Sequence, residues 1–538
     1  MKRNFPLTLL VMLYCFGSQA KPALPSIKQV IGQENIISET QRQLLPTAPT
    51  TLVAALERET MSDGIANESP CVLIAGVELV ATPAMPAGFN TLAQSVQGRC
   101  MGKNGLMRLQ KQLQNKAILL GYVTSRVHLL LDGQAPGMIT VNVQYGRVGQ
   151  LRLKAGSSEY FHPGFTFPIV SGEVFNLRRV EQGVENIGLI PDVDSEVRIV
   201  PGSLPGESDI EVFRRQDKYW RVTAWADDAG ASSTGRYQTG GALYLDNPSS
   251  LNDVLYLSLA GSVLAPHDRG NESRAWFYSL PFGFWNFSAL GGESRYHQTI
   301  AGSAVSYRYH GRSKYWGLQA SYTLARGMSD KTSLNAQWLQ RDYRYYLNDT
   351  EIALQRTRLT SLKLGANHWR YGSRARLAFS ADAITNIREE SETLEPMLKL
   401  GASVLNPFNL SDHRLTYFAE VSGQLGKAQQ PIQDKLFIGD RSTVRGFRGD
   451  DKLLGSNGGY WRNTLLWQSK PLQPYVGVDY GQLARQQGEG GRLMGSVIGL
   501  RLNEGRIDAD IFAGAPVIKP GYLPADRLVL GFSSQLSF

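Results

Sequence analysis

From about residue 216 to the C-terminus, apolar and polar residues alternate with a period of two. Leu377, Phe379, Ala381 and Ala383 alternate with Ala378, Ser380 and Asp382, and Ile507, Ala509, Ile511 and Ala513 alternate with Asp508, Asp510, Phe512 and Gly514. Similar runs occupy 254–263, 359–366, 415–425 and 497–502, separated by turn signals such as Asn247-Pro248 and Asn503-Glu504-Gly505. Successive side chains of a strand point to opposite faces, so this period predicts strands, and the turn residues join them into hairpins. Roughly 320 residues at about 20 per strand and connection give ~16 strands, an even number as in antiparallel barrels of the bacterial outer membrane. In the last run, Leu528, Leu530, Phe532, Leu536 and the terminal Phe538 share one face. Phe532, Leu536 and Phe538 are expected to act as an outer-membrane assembly signal at the end of an alternating strand.

Upstream, the period lengthens. Residues 70–146 read as a small α+β domain: a strand over 72–80, a helical stripe of Leu106, Leu109, Leu113, Ala117 and Leu120 ending at Gly121, then strands over 123–131 and 138–143. Residues 147–215 repeat the theme, with a strand at 148–153, a helix at 177–187 and strands at 193–200 and 208–213. Residues 46–69 read as a Pro-, Thr- and Ser-containing linker. Residues 21–45 place Ile27, Val30, Ile31, Ile37, Leu44 and Leu45 at approximate helical spacing among Gln, Glu and Ser, a mostly polar helix suited to a water-filled lumen.

The N-terminus reads as a signal peptide over residues 1–20. Lys2 and Arg3 precede an apolar stretch from Leu7 to Phe16, and Ser18-Gln19-Ala20 supplies a small-residue cleavage site. That stretch is too short to span a bilayer, and no later one approaches 18 uninterrupted apolar residues. Hydrophobic residues make up 42% of the chain and there are 55 glycines, which suits many short strands and turns. A barrel needs no more, since only alternate residues meet lipid. The net charge of +9 is spread out, and nucleic acid is not an expected partner. Cys15 leaves with the signal peptide, and the bulky Tyr14 before it argues against lipidation. Cys71 and Cys100 then form an even pair in an exported chain and are expected to be disulfide-bonded. No metal site or cofactor is expected, because there is no C-x-x-C and the seven histidines are scattered.

The candidate chemistry lies in a charged, glycine-rich stretch, residues 435–450, whose centre is Val444-Arg445-Gly446-Phe447. Some thirty residues on, Tyr475-Val476-Gly477-Val478-Asp479-Tyr480-Gly481 puts a lone aspartate inside an alternating strand. Charges in a barrel wall are costly unless they face the lumen and find partners. An arginine at a glycine-flanked tip that meets such an aspartate would hold a long loop in the pore through a bidentate, charge-assisted contact. The triplet Arg448-Gly449-Asp450 is too short to carry a function. No G-x-S-x-G, H-E-x-x-H or P-loop is present, and His297, His310 and His368 lie in strand-like runs, so no enzyme is predicted.

Three stretches together resemble the two-partner secretion transporters (TpsB), which serve filamentous haemagglutinins, haemolysins and contact-dependent-inhibition toxins and sit in the wider superfamily of outer-membrane assembly factors. They are Val444 to Phe447, Tyr475 to Gly481, and Phe175-Asn176-Leu177-Arg178-Arg179-Val180-Glu181-Gln182-Gly183 with Val200-Pro201-Gly202 through Pro205-Gly206 to Ser208. The resemblance covers essentially the whole mature chain. Thr464 departs from it, since related chains often place an acidic residue there.

The resemblance implies a plug helix over 21–45, two periplasmic POTRA domains at 70–146 and 147–215, and a barrel over 216–538 with a pore-inserted loop around 435–463. Asp479 on the inner wall would pair with Arg445. The POTRA domains would capture a large secreted exoprotein by its N-terminal secretion domain, unfolded, for export without ATP. In the second domain, Leu177, Glu181, Pro201, Gly202 and Ser208 are the expected cargo-binding residues. Pro201 to Pro205 reads as a turn before an edge strand that could accept an extended segment. Other expected partners are outer-membrane lipid and the barrel-assembly machinery that inserts the chain. The competing reading is an assembly factor of the same superfamily, for which a longer tandem array of periplasmic domains would be expected. A barrel lipase would show activity lost to a serine-directed inhibitor.

Overall fold

The computed structural model describes residues 68–538 apart from 132–134, 302–304, 389–395, 428–429, 451 and 487–488. The signal peptide, the 21–45 helix and nearly all of the linker lie outside the described residues.

The first domain comprises β1 (Val72–Leu73), β2 (Gly76–Val80), α1 (Ala87–Gln94), β3 (Cys100–Met101), α2 (Lys103–Leu119), β4 (Arg126–Leu131) and β5 (Met138–Gln144). Its sheet runs β2-β5-β4, with β2 parallel to the central β5 and β4 antiparallel. Leu109, Leu113 and Ala117 of α2 bury against Ile139 and Val141, as their helical spacing predicts. The expected 72–80 strand is two pieces. β1 pairs with β3 beside the Cys71–Cys100 disulfide, and only β2 joins the main sheet. The short α1 was not anticipated: only Phe89 and Ala93 are buried, too few to set a period.

The second domain has β6 (Arg147–Leu153), α3 (Pro163–Thr166), α4 (Leu177–Ile187), β7 (Val193–Pro201) and β8 (Glu207–Gln216), with sheet order β6-β8-β7. Asn176 caps α4, its side-chain oxygen accepting from the Arg178 N–H at 2.9 Å. Leu177, Val180 and Ile187 bury against Phe161, Phe167, Ile210 and Val212. One expectation fails here. The strand after the Pro201–Pro205 turn, β8, is central and paired on both sides, so the edges are β6 and β7, and the edge strand beside the turn is β7, which precedes it. Alternation in sequence shows which face is buried, not which strand lies outermost.

Sixteen antiparallel strands then close a barrel, the last (Val529–Ser537) pairing with the first (Trp220–Asp227). The backbone of Phe538 exchanges hydrogen bonds with Val222, so the chain terminus completes the seam. Outward positions are apolar and exposed, as at Leu257, Leu259, Trp316, Leu318 and Leu364, while Tyr256, Ser258, Tyr343 and Tyr345 turn inward and are buried. Leu530, Leu536 and Phe538 are exposed outward on the closing strand, with Phe532 half-buried.

Short turns mark the periplasmic end, where the second domain docks. Gly283 donates its N–H to the Phe165 carbonyl at 2.9 Å, and the Asn186 side chain donates to the Gly283 carbonyl at 2.8 Å. The Asn252 side chain donates to the Asn186 carbonyl at 2.7 Å, and the Glu185 carboxylate holds Arg326 and Lys331 of the next turn.

Candidate functional site: a loop latched inside the barrel

The loop between strands His413–Leu425 and Gly458–Trp467 starts at the external end of the wall and folds back into the lumen. Its base is a small hairpin of Leu436–Ile438 with Leu453–Gly455. The expected loop extended to 463, but Gly458 to Asn463 belong to the wall, since they continue the ladder with the 413–425 strand. The tip reaches Thr464 and Gly477, about six residues and ~20 Å along the strand below the external end.

Arg445 and Asp479 are both buried, with Asp479 fully so. Arg445 donates from Nε to Asp479 Oδ2 at 2.7 Å and from Nη2 to Oδ1 at 2.8 Å, and its backbone N–H adds a third bond to Oδ2 at 2.9 Å. Nη2 also donates to the Asn463 carbonyl at 2.8 Å and to Thr464 Oγ1 at 2.9 Å. Thr464 thus supplies a neutral acceptor, leaving Asp479 the one carboxylate on this guanidinium among the described contacts.

The wall makes room for the tip. Gly446 has φ +94°, a left-handed conformation that glycine adopts without strain. A Cβ on Gly495 would lie 1.7 Å from the Arg445 carbonyl oxygen, and one on Gly477 would lie 2.5 Å from Arg445 Nη2. The tip therefore rests on bare backbone of two neighbouring strands. Val444 and Phe447 pack beside it with Ile438, Leu453, Leu483 and Leu493, each such burial contributing about 1.5–3 kcal/mol. Asp440 organises the approach: its Oδ1 accepts from the backbone N–H groups of Ser442 and Thr443, both at 2.9 Å, and Lys452 Nζ lies 2.7 Å from Oδ2.

A second latch was not found from sequence. Arg341 donates from Nη1 to Asp434 Oδ1 at 2.8 Å and from Nη2 to Oδ2 at 3.0 Å, and the Asn386 side chain donates to the same carboxylate at 2.9 Å. All three are buried. Arg341 lies on the Asp330–Leu347 strand and Asp434 at the start of the loop, so the loop is tied to two separate arcs of the wall. Nothing local distinguishes Asp434 from other loop carboxylates. Only the inward register of Arg341, opposite the buried Leu359, could have suggested it.

Three of the five residues expected to hold cargo, Leu177, Glu181 and Ser208, are buried. Leu177 is in the domain core, and Glu181 is buried with Arg178 Nη1 at 2.7 Å from its carboxylate. Ser208 is buried on the central β8, while Pro201 is exposed at the end of β7 and Gly202 is half-buried. Helix α4 is a joint: Leu177 N–H and Arg178 Nη2 bond the Gly121 and Leu119 carbonyls at the end of α2, and Glu185 and Asn186 bond the barrel turns. Burial alone would raise the Glu185 pKa, but Lys331 and Arg326 outweigh it and hold the carboxyl below its ordinary value.

A sixteen-strand barrel with a latched loop in its lumen, carried on two small docked α+β domains, defines an outer-membrane transporter. Residues 206–502 match the model of the haemolysin secretion/activation proteins ShlB/FhaC/HecB, and residues 72–146 match the ShlB-type POTRA domain; the chain belongs to this family. Outer membrane transporter CdiB-2 of Burkholderia pseudomallei is 28% identical over 512 residues, covering 88% of this chain and 87% of that protein. Hemolysin transporter protein ShlB of Serratia marcescens is 25% identical over 515 residues, covering 91% and 88%. The structure of CdiB from Acinetobacter baumannii superposes with a TM-score of 0.84 at 26% identity, covering 96% of this chain and 99% of that one. The barrel lies in the bacterial outer membrane and the POTRA domains in the periplasm.

Proposed function

We propose that the chain captures a large exoprotein, unfolded, by its N-terminal secretion domain in the periplasm and exports it through the barrel, with the 426–457 loop as the barrier that must move. The carrying observation is the Arg445–Asp479 pair, a buried bidentate contact that keeps a long loop inside the lumen although both ends of that loop leave the wall on the outside. A structural barrel has no use for such a loop. A polar latch suits a barrier that opens, because water and cargo amides can replace its hydrogen bonds.

Cargo adds to the free edge of β7 by main-chain hydrogen bonds, near Pro201 and Gly202. Leu177, Glu181 and Ser208 support that edge from inside the domain. No ATP is used, and folding of the cargo outside supplies the direction. The lipid bilayer bounds the outward face, the terminal strand with Phe532, Leu536 and Phe538 is read by the barrel-assembly machinery, and neither nucleic acid nor a catalytic step is involved.

The test is secretion of a large exoprotein encoded beside this gene, compared in cells with the chain, without it, and with Arg445→Ala. Export requiring both the chain and Arg445 supports the proposal. Normal export without the chain, with other outer-membrane barrels depleted, indicates an assembly factor instead.

A further inference from the structure

We infer that the outside of the barrel carries a built site for the phosphate groups of an outer-leaflet glycolipid, centred on Glu293. Partners in register share a face, so Arg274, Glu293, Lys314, Asp342 and Arg358 form one row across five adjacent strands. Arg295, Arg312 and Arg344 form the next row outward along the strands. The row on the other side is Trp276, Gly291, Trp316 and Gln340, with both tryptophans exposed. Positions between these rows, such as Tyr343 and Arg341, are buried and face the lumen. The charges therefore face out of the barrel.

Their height places them at the membrane surface. On the Trp285–Ala301 strand, which starts at the periplasmic turn, outward positions read Trp285, Phe287, Ala289 and Gly291 before Glu293 and Arg295. Trp285 to Glu293 is about 26 Å along the strand, or ~20 Å of height at the tilt of a barrel strand, close to the ~25 Å apolar band of such proteins. On the Ser306–Arg326 strand, Leu318 and Trp316 give way to Lys314 and Arg312 at the same row. Charge begins where the hydrocarbon ends, on the external side, just past a tryptophan row that marks the interface.

The cluster has the chemistry of an anion site. Arg274, Arg295 and Arg312 converge on Glu293 at 2.6, 2.7 and 2.5 Å. The Glu293 side chain is only 10% exposed, against 63%, 49% and 37% for the three arginines. Arg344 and Arg358 flank Asp342 at 3.1 and 3.4 Å. Glu272 adds a third carboxylate, 3.7 Å from Arg295, so five guanidiniums share three carboxylates and Lys314 adds one more positive charge on the same face. The carboxylates hold the guanidiniums together, and the surplus positive charge is presented outward. Guanidiniums match phosphate oxygens bidentately. A headgroup whose acyl chains lie along the exposed Trp276, Trp316 and Leu318 gains apolar contact that a free anion lacks, which favours the glycolipid.

The test uses the purified full-length chain in detergent micelles and measures binding of diphosphorylated lipid A and of its dephosphorylated form. Tighter binding of the phosphorylated lipid by about tenfold or more is expected, from loss of several charge-assisted hydrogen bonds. The variant Arg274→Gln/Arg295→Gln/Arg312→Gln should abolish that preference while keeping the heat-shifted gel mobility of a folded barrel. Inorganic phosphate should not displace the lipid at comparable concentration. Equal affinity of the wild-type chain for the two lipids overturns the inference without need of any variant. Displacement by equimolar inorganic phosphate also overturns it, in favour of a free-anion site.

Discussion

Arg445 and Asp479 meet as a planar fork on a carboxylate, with Nε and Nη2 at 2.7 and 2.8 Å from the two oxygens, although 34 residues separate them in sequence. Removing either partner strands the other in a buried place, a change that costs about 3–5 kcal/mol in comparable pairs. We expect Arg445→Ala and Asp479→Ala to insert normally, judged by heat-shifted gel mobility, and to reduce export sharply. Arg445→Lys should not restore export, because a point charge reaches one oxygen where the fork reaches two. Full export by the Lys variant would show that charge alone suffices.

Gly495 offers a test that leaves both charges in place. Gly495→Ala would put a methyl where the Arg445 carbonyl oxygen now lies, so the tip must lift off the wall. Export by this variant should fall as it does for Arg445→Ala. If instead it exports normally, the tip's seat on the wall has no functional weight.

The second latch predicts a different symptom. Asp434→Asn or Arg341→Gln frees the start of the loop while the tip stays seated. In planar bilayers these variants should show more frequent or larger openings than the wild-type chain, with Arg445→Ala added on top giving a further increase. Conductance indistinguishable from wild type would confine the Arg341–Asp434 pair to a structural role.

Docking of the second POTRA domain should depend on acid. The folded-state pKa of Glu185 lies below its ordinary 4.5, so its contribution is complete above pH 4.5 and is lost as the pH falls through the lower folded value. Hydrogen exchange of the Leu177–Ile187 amides, corrected for intrinsic rates, should be steady from pH 7 to pH 5 and accelerate in stronger acid. Glu185→Gln should raise exchange at pH 7 and flatten the dependence. An unchanged profile in that variant would remove Glu185 from the joint.

The Cys71–Cys100 disulfide closes a loop with a sequence separation of 29, for which chain entropy in the unfolded state predicts a stabilisation of about 3–4 kcal/mol. Cys71→Ser should make the first POTRA domain of the full chain more sensitive to pulse proteolysis and leave the barrel fragment intact. Equal sensitivity with and without reductant in the wild type would contradict this.

The barrel was legible because lipid and lumen impose a strict period of two over more than three hundred residues, and its strand number followed from length. The tip was legible from its glycine-flanked arginine, and its aspartate as a lone charge inside an alternating strand. What sequence did not show depends on contacts made by a second face. Leu177 packs in the core of its own domain, as a helical period allows, but the burial of Glu181 follows from α4 lying against the barrel turns, where Arg326 approaches it, and no helical period records that. The edge strand was misassigned for a similar reason: β7 and β8 both alternate, and only the parallel pairing of β6 with β8 puts β8 in the middle. Arg341 is one of many arginines in its region, and nothing near Asp434 points to a partner 93 residues away.

The wall beside Arg445 is itself unfinished. Its ladder pairs Trp461 with Tyr480 and Thr464 with Gly477, but omits the two positions between, where the Asn463 N–H goes to Asp479 Oδ1 at 3.1 Å and its carbonyl receives Arg445. Register is the same on both sides of the gap, so the two strands can zip together without slipping once the guanidinium departs. The loop tip and this stretch of ladder draw on one shared backbone acceptor, the Asn463 carbonyl. The tip is thus bound into the weave of the wall itself, at a place where that weave is open to receive it.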